Sequence, residues 1–145
     1  MLLRSALEAD LPGLLVLYAE LNPEDPPLPD AADVWRKMLA QPGLDVLIVE
    51  VDGVLAATCT LVQVPNLTRG ARPYALLENV VTRSAFRRQG LGRILVEEAL
   101  RRAWAGGCYK VMLFTSARMP GTLDFYRSCG MQDEGKTAFL ARAPQ

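Results

Sequence analysis

The chain has 145 residues, about one domain's worth, and with half of them hydrophobic and 22% charged it has the balance of a folded globular protein and not of a disordered one. Sixteen basic residues against sixteen acidic ones give a formal net charge of zero, which excludes the global electrostatic footprint of a nucleic-acid binder. Histidine is absent and the three cysteines are scattered, so a histidine-based triad, a zinc cluster and a disulfide framework are all excluded, and acid–base chemistry falls to Glu, Asp, Tyr, Cys or water.

In chain order, Leu2 to Ala6 reads as a first strand. Arg4, Glu8 and Asp10 interrupt the N-terminal leucines, so this segment is neither a signal-peptide core nor a membrane span. With the odd, widely spaced thiols Cys59, Cys108 and Cys129, a reduced cytoplasmic protein of one domain is expected. Leu11, Leu14, Leu15, Tyr18 and Leu21 recur at helical spacing and predict a helix from about Asp10, its cap, to Leu21. Asn22 to Pro29 holds four prolines and must be an irregular loop. Asp30 restarts helical structure with an apolar stripe of Val34, Met38 and Leu39, and Trp35 beside it reads as packing before substrate contact.

Val46 to Val51, the turn Asp52-Gly53 and Val54 to Val64 predict an antiparallel hairpin. Pro65 to Pro73 is a loop leading into the strand Tyr74 to Thr82. A long helix follows, with Arg93, Glu97 and Arg101 on one face and Leu91, Leu95, Ala99 and Ala103 on another, ended by Gly106-Gly107. Lys110 to Thr115 reads as a strand, Thr122 to Cys129 as a short helix stopped by Gly130, and Lys136 to Ala141 as a last strand. This order predicts the α/β class with a mixed sheet, because the hairpin must be antiparallel and the strand–helix–strand unit parallel.

The chemistry concentrates between Leu76 and Ala103. An apolar strand meets Arg87-Arg88-Gln89-Gly90-Leu91-Gly92-Arg93 and then the long helix. A helix start leaves its first N–H groups unpaired and carries the positive end of the macrodipole, so an anion docked there gains several hydrogen bonds at once. Gly90 and Gly92 place no Cβ over those amides, while Arg87, Arg88 and Arg93 add positive charge, an arrangement suited to a pyrophosphate. The spelling is neither a Walker loop, since Arg93-Ile94 stands where Lys and Ser or Thr are needed, nor a three-glycine dinucleotide fingerprint.

Arg87-Arg88-Gln89-Gly90-Leu91-Gly92 resembles the Arg-x-x-Gly-x-Gly signature of the GNAT N-acetyltransferases, and it stands between a strand and a helix as that family places it. The resemblance covers nearly the whole chain and is strongest from Leu76 to Met131. It implies the GNAT fold, a mixed and mostly antiparallel sheet with helices on both faces. It also implies acetyl-CoA as co-substrate, without a metal, and the amine of a small molecule as acceptor, with no nucleic-acid or membrane partner and a homodimer by family habit.

Position in the family implicates the backbone of Val80 and Val81 in pairing with the pantetheine arm, although both valines also read as sheet core. Phe125-Tyr126 followed by Gly130-Met131 resembles the family's aromatic pair, which makes Tyr126 the candidate acid for the departing sulfur. A phenol of pKa about 10 stays protonated where a thiol of about 8.5 must be restored. The alternative is a half-buried packing tyrosine. Met119 departs from the asparagine that the family often has there. Glu78 interrupts an apolar strand, where a buried carboxylate would hold its proton tightly and suit the role of base, while a salt bridge to Arg72 or Arg83 is the other reading. Glu78-Asn79 resembles an acidic–polar pair of small-amine acetyltransferases, glucosamine-phosphate ones among them. Ser116, at the end of the next strand, is a candidate contact or a plain turn residue. Acetylation of a peptide or protein amine, and a silent coenzyme-A-binding module, remain alternatives.

Overall fold

The computed structural model describes residues 1–116 and 119–145, which fall into two compact units, Met1–Leu113 and Phe114–Gln145. The first unit carries a five-stranded sheet in chain order: β1 (Leu2–Ser5), β2 (Leu44–Val51), β3 (Val54–Val64), β4 (Tyr74–Thr82) and β5 (Val111–Met112). The first four strands are antiparallel, and β5 runs parallel to β4. The hairpin forms where it is expected, because Asp52 (φ 50°) and Gly53 (φ 78°) take the positive φ that a tight two-residue turn between right-twisted strands demands.

Strand alternation sorts the core onto two faces. Val46 and Ile48 of β2 pack with Ala6, Leu14 and Trp35, which brings α1 (Leu11–Leu21) and α2 (Ala31–Ala40) onto one face. Leu61 of β3, which pairs with Asp45 and so points the other way, packs with Ala75, Ala103 and Cys108 under α4 (Leu91–Ala105). The predicted inner stripe of α4 is buried throughout, at Leu91, Leu95, Ala99 and Ala103. Trp35 is a packing residue whose indole N–H donates to the Glu8 carbonyl at 3.1 Å.

Several expectations are corrected. Asp10 makes no side-chain cap on α1; its carboxylate accepts from the Leu7 N–H at 2.6 Å and pairs with Arg4 at 2.6 Å, closing the 3-10 turn Glu8–Asp10. On α2, Trp35 and Met38 face the core while Val34 and Leu39 are exposed, since the helix is turned to bury the indole. Arg93 pairs with Glu97 at 2.7 Å as the spacing suggests, but Arg101 pairs at 2.7 Å with Glu98, three residues before it. The Pro65–Pro73 connection contains a single turn, α3 (Thr68–Ala71), with left-handed backbone at Arg69, Gly70 and Ala71.

The strand expected over 110–115 is only the two residues of β5, because its pairing with β4 stops at Leu76↔Met112. The strand expected at Lys136–Ala141 is not formed. No ladder partner is paired with it among the described residues, and Phe139 and Leu140 are exposed. The second unit consists of α5 (Thr122–Ser128) and irregular chain.

Gln63 of β3 is seated between two glycines. Its N–H donates to the Gly43 carbonyl at 2.7 Å, and a Cβ at Gly43 would strike its backbone carbonyl oxygen. A Cβ at Gly106, just past α4, would strike its side-chain oxygen.

The Asp10 carboxylate sits below its usual pKa chiefly because Arg4 donates to it, with the Leu7 N–H adding to the effect. A depressed folded-state pKa contributes stability above the unfolded value of about 3.8, and that contribution disappears as pH falls through the lower, folded value. Asp10→Asn should therefore cost about 1–2 kcal/mol at neutral pH by denaturant unfolding, with the gap to the wild type closing below about pH 4.

Candidate active site

The site is built around β4, which differs on its two sides. Against β3 it pairs over nearly its whole length, with a register shift between Thr58 and Thr60 that makes room for an extra residue on β4. Glu78 pairs with Thr60 and Val81 with Thr58, so Asn79 and Val80 together oppose Cys59. Asn79 takes φ 51°, the left-handed backbone of a β-bulge, which asparagine tolerates better than most residues. Against β5, β4 pairs only at Ala75↔Val111 and Leu76↔Met112. From Leu77 to Thr82, no β5 residue pairs with that edge.

Which amides face this open edge follows from the hydrogen bonds at the end of β4. The Arg83 N–H donates to the Ala56 carbonyl at 2.8 Å, so alternation turns Val81 toward β3 as well, while Val80 sits in the bulge where that alternation is broken. Of the two valines, Val81 has a β3 partner, Thr58, and Val80 lies in the bulge. Val81 is buried core.

Beyond β4, the 3-10 turn Ser84–Phe86 leads into the glycine loop. Arg87 donates to the Thr82 carbonyl at 3.2 Å, and Arg88 holds φ 61° with its side chain exposed. Gly90 is the N-cap residue of α4 at φ 79°, ψ 2°, a conformation that strains any residue with a side chain. An added Cβ there would meet nothing within 4 Å, so the space over the helix start is open. Gly90 has no side chain with which to cap α4, and the first turn of the helix holds no acidic residue. The amides of Leu91, Gly92 and Arg93 thus lie at a helix start with no carboxylate of their own and with Arg87, Arg88 and Gln89 exposed around them. These residues fit a phosphate-bearing ligand.

Glu78 requires a correction. It is exposed, not buried, and neither arginine proposed for it is its partner. Arg72 donates to the Gly107 and Cys108 carbonyls at 3.2 and 3.1 Å, and Arg83 faces Glu20 at 3.8 Å. The strand is apolar in sequence, but the side of β4 opposite α4 is left uncovered at Glu78 and Asn79. Next to Glu78 on that face, Thr60 is buried, and the phenol of Tyr18 from α1 has its pKa pushed up by burial. Cys59, across from the bulge, is buried and its thiol is pushed up to about 12, chiefly by desolvation, which removes it as a nucleophile.

In the second unit, Tyr126 is half-buried on α5 and meets Phe125 edge to face at a 5.0 Å centroid distance. Arg127, beside it, bridges Asp124 at 3.0 Å and Asp133 at 2.6 Å, fixing the chain after the helix. Ser116 lies in exposed chain four residues after β5 ends, so it is not at a strand terminus. Met119 is exposed. Glu20, which faces Arg83 and Arg87 from α1, carries no recognisable motif.

The model of the acetyltransferase (GNAT) family matches residues 11–131. The chain belongs to the GNAT family. It is similar to a curated glucosamine 6-phosphate N-acetyltransferase of Trypanosoma brucei brucei, at 32% identity over 135 residues, covering 90% of this chain and 88% of that protein. A second curated relative of the same name, from Oryza sativa subsp. japonica, is 29% identical over 126 residues, covering 84% of this chain and 74% of the relative. A solved structure from Agrobacterium tumefaciens matches with a TM-score of 0.94 at 50% identity, covering 99% of this chain and all of that one. As a GNAT acetyltransferase the protein is an acyl-transferring enzyme, and its mixed, mostly antiparallel sheet with helices on both faces is the fold of that family.

Two substitutions test the anion cradle. Gly90→Val and Gly92→Val should each weaken coenzyme A at least about tenfold in titration calorimetry, since a side chain there blocks approach to several amides at once. Arg101→Ala, on the outer face of α4, should leave affinity unchanged; a folded Gly92→Val variant with wild-type affinity would refute the cradle.

Proposed function

We propose that the protein transfers an acetyl group from acetyl-coenzyme A to the primary amine of a small molecule, with an amino-sugar phosphate as the first acceptor to test. The observation that carries this reading is the glycine-capped start of α4 beside the open space at Gly90, reached by a short turn from a strand that β5 pairs only at Ala75 and Leu76. A ligand with a diphosphate at one end and an amide-bearing arm at the other suits both features. The acceptor class is supported by relatives that carry the name glucosamine 6-phosphate N-acetyltransferase.

Acetyl-coenzyme A supplies an activated thioester carbonyl, and the chain's own residues do the rest. The α4 amides and Arg87 hold the phosphates, and the Val80 backbone at the bulge aligns the arm. Glu78, exposed beside the bulge, takes the proton of the substrate ammonium directly or through water. Tyr126, protonated at neutral pH, hydrogen-bonds to the departing sulfur and passes it a proton, which the second proton shed by the acylated amine replaces. With Cys59 protonated and buried, transfer in this reading goes directly from thioester to amine and not by way of an acetylated Cys59. The three buried cysteines are in the thiol form, which supports a reducing compartment such as the cytoplasm.

Thiol release from acetyl-coenzyme A across a panel of amino sugars, amino-sugar phosphates, other small amines and peptides tests this reading. Release with peptides alone would make it a peptide acetyltransferase, and tight coenzyme binding with no release would make it a binding module. Glu78→Gln should bind the coenzyme normally and lose about 10²–10⁴-fold in rate near neutral pH. The deficit should shrink at high pH, where the free amine predominates; parallel pH–rate profiles with a small constant offset would refute a base role. Tyr126→Phe should lower turnover in pre-steady-state measurements with little change in coenzyme affinity, and an unaltered chemical step would leave Tyr126 a packing residue.

A further inference from the structure

Glu20 stands in the last turn of α1, where the negative end of the helix dipole disfavours a carboxylate and no basic residue of that turn offsets it. Its partners lie 64 residues away on one short segment, where the Ser84 N–H donates to it at 2.7 Å and the Ser84 hydroxyl at 3.4 Å. Arg83 approaches the same carboxylate at 3.8 Å and Arg87 at 3.9 Å. Segment 83–87 runs from the last pair of β4 into the glycine loop, and its 3-10 turn has no side-chain cap of its own. Arg87 is held at its two ends of reach, donating to the Thr82 carbonyl at 3.2 Å and facing Glu20 with another nitrogen. One carboxylate from a distant helix therefore gathers the turn on which the phosphate-facing arginine is mounted.

We propose that Glu20 is a positioning residue for the coenzyme's diphosphate. It anchors the Ser84 N–H and orients Arg87, so that arginine and the α4 amides meet the anion in one fixed geometry. This rests on the coenzyme reading above. The 2.7 Å charge-assisted hydrogen bond is the strong part of the contact, while the longer approaches to half-exposed guanidinium groups are worth little by themselves. Gln, which can still accept from the Ser84 N–H, should therefore substitute for Glu20, and Ala should not.

The test measures coenzyme A binding by titration calorimetry, and steady-state kinetics with acetyl-coenzyme A and with S-acetylpantetheine, which lacks the diphosphate. Glu20→Ala, with a melting temperature close to the wild type, should weaken coenzyme A about tenfold and raise KM for acetyl-coenzyme A with kcat little changed. Glu20→Gln should stay within about threefold of the wild type. The Glu20→Ala loss should disappear with S-acetylpantetheine and should shrink in an Arg87→Ala background, as coupled residues require. Equal losses with both donors, or wild-type coenzyme affinity in folded Glu20→Ala, would overturn the proposal. A wild-type protein that fails to bind coenzyme A would instead overturn the coenzyme reading itself.

Discussion

The constraint that shapes this molecule falls on β4, which must serve as a full neighbour to β3 and as a broken neighbour to β5. A strand inside a sheet normally has both edges satisfied, and an edge left open in the middle of a protein needs another use for its amides and carbonyls. Here the β-bulge at Asn79 keeps the β3 side paired across an extra residue, and the two-residue contact with β5 ends the other side early. The same strand then delivers the chain to a helix start whose N-cap is a glycine. Local backbone geometry, more than any single side chain, makes the place where a long ligand with an anionic end can lie.

The charge distribution follows the same division. A chain of zero net charge still gathers Arg83, Arg87, Arg88 and Arg93 within eleven residues. The structure spends them differently: Arg93 pairs down its own helix with Glu97, Arg83 and Arg87 lean toward Glu20, and Arg88 stays exposed at a left-handed position. Elsewhere the arginines tie elements together. Arg102 on α4 reaches Ser5 at 2.6 Å and Asp45 at 2.7 Å, which fastens that helix to the first two strands.

Most of the fold was legible because its signals are local. The turn at Asp52-Gly53, the strand Tyr74–Thr82, the buried stripe of α4 and the glycine loop each announce themselves within a few residues. The features that escaped depend on partners distant in sequence. Apolar residues from Lys136 to Ala141 suggest a strand, yet a strand exists only where another backbone lies beside it. An apolar neighbourhood in sequence suggested a buried Glu78, but which face of β4 is covered depends on where α1 and α4 pack. The bulge at Asn79 and the gathering of segment 83–87 by Glu20 were invisible for the same reason.

The seat of Gln63 bears on how this sequence can drift. Gly43 is barred from change twice over, by its positive φ and by a backbone oxygen that cannot retreat, so it is fixed whatever its neighbours become. Gly106 is barred only by the movable end of one side chain. Its freedom is therefore conditional: a lineage that first trades Gln63 for a smaller residue opens position 106 to alanine, while the reverse order of the two mutations meets a clash. The two sites are therefore coupled: what position 106 tolerates is set by how far the side chain at position 63 reaches.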